Sequence, residues 1–178
     1  MRNLAEIGLK YYPDDAASPT REKPPSLAVI QVFEERFQVQ LPADYVSFLQ
    51  EANGGNPTVA TFDYTASSGE FVQDADQVGE LFSLTEKRKS QYEEGVWEYT
   101  EWLQEVFVEN GWPSSVVCIG RNGADNMIYL DTTKPVPPVH ILYRECENAT
   151  AQIALSFGEF IDNLHSDSKN EDDTINDD

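Results

Sequence analysis

Leu41-Pro-Ala-Asp-Tyr-Val-Ser-Phe-Leu-Gln-Glu-Ala-Asn-Gly-Gly55 is the stretch on which the fold turns. Pro42 suits a first helical turn, where its missing N–H would have no intrahelical acceptor. Tyr45, Phe48, Leu49 and Ala52 then recur at helical spacing and form one apolar face. Asn53-Gly54-Gly55 accepts the left-handed backbone that ends a helix. A short amphipathic helix from Pro42 to about Asn53 is therefore predicted.

Upstream, Ser26 can cap a helix whose Leu27, Ile30, Phe33 and Phe37 make an apolar stripe. Downstream come β-type segments at Thr58–Tyr64 and Val78–Leu84, separated by the polar Ser67-Ser-Gly-Glu70. A further helix spans about Glu93 to Asn110 and is stopped by Gly111 and Trp112-Pro113. Short strands are predicted at Val116–Ile119, Met127–Leu130 and Val139–Tyr143. Arg121–Asn126 joins the first two as a hairpin in which Asn122-Gly123 favours positive φ. Pro135, Pro137 and Pro138 break the chain before the third strand. Phe157, Phe160, Ile161 and Leu164 mark a closing helix. This order predicts an α+β fold: one domain, with an antiparallel or mixed sheet of about four to six strands and helices at both ends. Residues 1–25, with Pro13, Pro19, Pro24 and Pro25, read as a loop-rich N-terminal extension. Residues 26–164 form the domain, and 165–178 an acidic tail expected to be disordered.

At 178 residues, 40% of them hydrophobic, the chain can bury one sizeable core. No apolar run reaches the roughly 20 residues that span a bilayer. Met1-Arg-Asn-Leu-Ala-Glu-Ile-Gly8 puts an acid where a signal peptide needs its apolar centre, so a cytoplasmic location is expected. Cys118 and Cys146 lack metal spacing and fit reduced core thiols.

Charge is the second strong feature: 32 acids against 12 bases, a net −20. No Lys or Arg lies between Arg36 and Lys87, where Asp44, Glu51, Asp63, Glu70, Asp74, Asp76, Glu80 and Glu86 all fall. None lies between Lys89 and Arg121 either, a stretch that holds Glu93, Glu94, Glu98, Glu101, Glu105 and Glu109. Phosphates would be repelled, which argues against direct contact with nucleic acid or anionic lipid and for a basic protein partner.

Motifs for chemistry fail on inspection. Gly120-x-x-Gly123 precedes a strand and has no nearby Lys, so it fits a hairpin and not a phosphate cradle. The Asp74-x-Asp76 start of a calcium loop fails at Val78 and Thr85. His140, His165, Cys118 and Cys146 share no zinc spacing. Ser114-Ser115 is no nucleophile elbow. No catalytic group, cofactor or metal is assigned, and no enzymatic activity is expected.

The predicted helix at 93–110 holds the candidate site. At about 100° per residue, Glu94, Glu98, Glu101, Glu105 and Glu109 share one face, with Tyr99, Leu103, Val106 and Phe107 opposite. Like charges at this spacing cost roughly 0.2–0.5 kcal/mol per pair, so the stripe is either an ordinary solvated face or a partner-binding one. Trp97 and Trp102 flank it as candidate anchors. Asp74, Asp76 and Glu80 form the second acidic candidate.

Four segments also resemble a known family. The Leu41–Gly55 stretch resembles the signature of the SUKH superfamily, which includes bacterial toxin-immunity proteins related to a fungal cell-wall assembly regulator. Val117–Asp131 is similar to its strand–glycine turn–strand segment, Ser156–Ile161 to its closing helix and Val32–Phe37 to its opening one. Ala124 and Asp125 stand where members often have further glycine, and the Glu-rich helix is longer than expected. The resemblance implies an immunity protein that neutralises a cognate polymorphic toxin domain, expected to be basic, with a nuclease as one such toxin, through an acidic surface. The alternative it implies is a non-catalytic regulatory scaffold of the cell-wall regulator type.

Overall fold

Among the described residues, six strands follow one another in chain order across a single antiparallel sheet. They are β1 (Thr61–Asp63), β2 (Ala75–Leu81), β3 (Val116–Asn122), β4 (Met127–Asp131), β5 (Val139–Tyr143) and β6 (Ala149–Ala154). Four α-helices accompany them among the described residues: α1 (Leu27–Phe37) and α2 (Ala43–Glu51) before the sheet, α3 (Val96–Glu109) between β2 and β3, and α4 (Phe157–Asn163) after β6. The structure is a computed structural model that describes residues 3–10, 22–64, 75–85, 95–145 and 149–167. The fold is α+β, as the element order predicts.

Ser26 caps α1 by accepting the Val29 N–H at 3.3 Å. Ile30, Phe33 and Phe37 turn inward, but Leu27 of the predicted stripe is exposed. Pro42 is the N-cap of α2, one position before the expected first turn. Its C-terminus behaves as predicted: Asn53, Gly54 and Gly55 all take positive φ (51°, 93° and 119°). Gly55 then exchanges both backbone hydrogen bonds with Leu81, each at 2.9 Å, which fastens the end of α2 to β2. A β-carbon at Gly54 would lie 2.9 Å from the Leu81 carbonyl oxygen, so this close approach requires glycine.

α3 ends in a Schellman motif. Gly111 is left-handed (φ 71°), its N–H reaches Val108 O at 3.0 Å, and the Trp112 N–H reaches Phe107 O at 2.8 Å. The rings of Phe107 and Trp112 make the accompanying apolar contact, with centroids 5.2 Å apart.

Strand alternation assigns the two faces of the sheet. Tyr129 stacks on its cross-strand neighbour His140 and receives the Phe107 edge, placing α3 on that face. Tyr143 points the other way, toward Tyr64, which continues through Phe62 to Phe160 of α4. Phe157 joins α4 to Tyr45 and Phe48 of α2. Asp44 completes that joint by accepting the Gly158 N–H at 2.7 Å.

Several segments depart from expectation. β2 lies three residues earlier than predicted. Phe82 still donates to Ile119 O of β3 at 2.9 Å, but beyond it the chain leaves that strand, and Leu84 donates instead to the Asn53 side chain. β1 is shorter than Thr58–Tyr64, because the Thr58 and Val59 N–H groups turn to Ile7 O. In the β3–β4 hairpin it is Asp125 that takes positive φ (59°), while Asn122 Oδ1 accepts the N–H groups of Ala124 and Asn126. Within the segment read as an N-terminal extension, Leu4 and Ile7 are core residues. At the other end, His165 pairs with Thr61 beside β1. Cys118 is a buried free thiol whose pKa burial pushes up to about 12, and Cys146 lies outside the described residues.

Candidate functional site

Where β2 departs, β3 would be left with an open edge, and α3 fills it. Thr100 Oγ1 accepts the Cys118 N–H at 3.1 Å, and Gln104 Nε2 donates to Val116 O at 3.1 Å. Four residues of helix rise about 6 Å and two residues of strand about 6.7 Å, so one helix face can match the strand's spacing. Val96, Thr100, Leu103 and Phe107 are buried by this docking. Glu101, Glu105 and Glu109 accordingly point outward, while Glu98 is partly buried.

They do not form one uniform stripe. Glu98 Oε2 accepts the Gly95 N–H at 3.1 Å, so this carboxylate serves the start of its own helix. Glu101 pairs with Arg36 of α1 at 3.0 Å. Glu105 and Glu109 are exposed and have no ion-pair partner among the described residues. Tertiary structure thus supplies relief that the local sequence lacks, but only for the N-terminal half of the stripe. Glu94 and Asp74 lie outside the described residues.

The two tryptophans fall on opposite flanks of α3. Trp97 sets its ring against Phe33 and Phe37, at 5.1 and 5.5 Å, and donates its indole N–H to Thr85 O at 2.7 Å. That is a packing role. Trp102 is half-buried on the other flank, with the Arg144 guanidinium 5.1 Å from its ring centroid. Asp76 and Glu80 sit on β2 and both engage β3. Asp76 accepts from Asn122 Nδ2 at 2.7 Å, and Glu80 pairs with Arg121 at 2.9 Å.

A groove flanks α3 on either side. The first, about 450 Å³, separates the C-terminal halves of α1 and α3, with Phe37 and Val108 as apolar surface and Arg36, Glu101, Glu105 and Glu109 as its charges. The second, about 480 Å³, runs toward the β3–β4 hairpin and sets Arg121 and Arg144 against Glu98 and Asp125, beside Tyr99 and Trp102. Sequence inspection missed Arg36, Arg121 and Arg144 as partners of the acidic surface. They lie on other elements, and only the fold brings them to α3.

His140, partly buried and stacked on Tyr129, has its pKa lowered by burial, with Asp131 opposing the shift. His165 is at the opposite edge of the sheet, 3.2 Å from Asp63. No helix among the described residues is long and apolar enough to cross a membrane.

The model of the SMI1 / KNR4 family (SUKH-1) matches residues 24–163. No curated protein and no solved structure gives a match.

Proposed function

Because the chain belongs to the SMI1 / KNR4 family (SUKH-1), we propose that it is an immunity protein, which binds a cognate polymorphic toxin domain and does no bond-making of its own. The observation that carries this is the negative surface at the C-terminal half of α3, where Glu105 and Glu109 stand exposed along the α1–α3 groove in a chain of net charge −20. Such a surface raises the rate of encounter with a basic partner and rejects acidic ones. A nuclease toxin suits it well, because its substrate cleft must itself be positive to hold phosphates. The proposed place of action is the cytoplasm.

The test is co-expression. A toxin domain encoded beside this gene should arrest growth alone and be silenced when this chain is co-expressed. The purified pair should bind with an affinity that falls as salt rises. Absence of a neighbouring toxin, or arrest that persists despite co-expression, would refute the proposal.

A further inference from the structure

The groove between α1 and α3 already seats one guanidinium. Arg36 lies over the Phe37 ring, 5.5 Å from its centroid, while Nη2 reaches Glu101 Oε1 at 3.0 Å. An apolar surface under the cation and a carboxylate at its edge are the two things a guanidinium seeks. Further along α3 both recur without an arginine. Glu105 stands one turn beyond Glu101 and Glu109 one turn beyond that, with Val108, 64% exposed, as apolar surface beside them. The last turn of α3 carries no basic residue, so these carboxylates add to the negative end of the helix dipole. The groove's lining holds three carboxylates and one arginine. The groove on the other flank differs, since its two arginines and two acids cancel.

We propose that the α1–α3 groove receives an arginine-bearing segment of a basic protein partner. A guanidinium sits between Glu105 and Glu109, and its aliphatic stem lies along Val108, repeating the Arg36–Phe37–Glu101 arrangement further down the helix. The partner's identity as a toxin rests on the proposed function above, but the chemistry of the groove does not. Trp97 and Glu98 have positioning roles within the fold, so the recognition surface is the C-terminal half of the helix.

The probe is the peptide acetyl-Arg-Gly-Arg-amide, titrated into the full ¹⁵N-labelled chain at low salt and followed by NMR, with the citrulline analogue as a neutral control. Shifts should concentrate at Val108, Glu109, Ser114 and the Gln104 side-chain amide. E105Q/E109Q should weaken binding about tenfold, while E51Q/E145Q, which removes the same charge from exposed sites elsewhere, should weaken it less than about twofold. Equal losses in the two pairs, shifts centred on Trp102, or equal binding of the citrulline peptide would overturn the proposal. Failed peptide binding alongside intact toxin protection would sink the groove alone. Intact peptide binding without toxin protection would sink the immunity role alone.

Discussion

Asn53→Ala should cost more stability than its small change in volume suggests. Asn53 Oδ1 accepts the Leu84 N–H at 2.8 Å, and Nδ2 donates to Lys23 O at 2.7 Å and Leu84 O at 3.1 Å. The residue is 1% exposed, so solvent cannot replace these partners without local opening. A buried donor left unpaired costs about 1–3 kcal/mol, and each further lost hydrogen bond about 1 kcal/mol. Alanine at φ 51° adds a left-handed backbone penalty of about 1 kcal/mol. Together these come to roughly 4–6 kcal/mol, a large share of the about 5–15 kcal/mol typical of a folded domain. At roughly 2–4 °C per kcal/mol for a chain of this length, Tm should fall by about 8–24 °C. Urea unfolding measures the loss directly, with the m-value expected to stay unchanged. Asn53→Gly removes the same hydrogen bonds but relieves the backbone, so it should recover about 1 kcal/mol of the loss. A deficit below about 1 kcal/mol in Asn53→Ala would refute the assignment of Asn53 as the knot between α2, the segment that follows β2 and the segment that leads into α1.

Tyr45→Phe should raise stability by about 1 kcal/mol, because the buried Tyr45 hydroxyl has no hydrogen-bond partner among the described residues; a lower Tm would contradict this. Thr100→Val should destabilise by about 1–3 kcal/mol by stranding the Cys118 N–H, and hydrogen exchange at that amide should accelerate. Gly120→Ala should cost about 1–3 kcal/mol or more, since its β-carbon would fall 2.4 Å from the Glu80 carbonyl oxygen, and thermal unfolding reports it. The lowered pKa of His140 means that the fold favours the neutral imidazole. Its contribution is fully present above the histidine's unfolded pKa and is lost as pH falls through it. His140→Phe, which keeps the ring on Tyr129, should therefore gain stability relative to the unsubstituted chain between about pH 7 and pH 5; parallel pH profiles would refute this.

Helices α1, α2, α3 and α4 were legible because each writes its apolar face at helical spacing, and α2 and α3 also end on residues with a physical reason to stop them, Asn53 and Gly111. β6 was not legible. Ala149-Thr-Ala-Gln-Ile-Ala154 is alanine-rich, and pairing with β5, not intrinsic preference, makes it a strand. The limits of β2 were hidden for a similar reason, since a side chain 31 residues away draws Leu84 out of the sheet. At the candidate site, the outward direction of Glu101, Glu105 and Glu109 followed from periodicity alone. The cations that quench part of that surface come from α1 and the strands, and no window of sequence around α3 contains them. Trp97 and Trp102 look alike on paper and both are partly buried; only the position of α1 gives Trp97 its packing partners, Phe33 and Phe37.

By standing in for a missing strand, α3 divides its own residues into two vocabularies. Thr100 and Gln104 are spoken for by the ladder they complete, and substitution there would bare β3 to unwanted pairing with other chains. The side chains at positions 105, 108 and 109 are exposed and make no hydrogen bond or ion pair among the described residues. A lineage could rewrite them freely, changing whom the protein meets while leaving its architecture untouched.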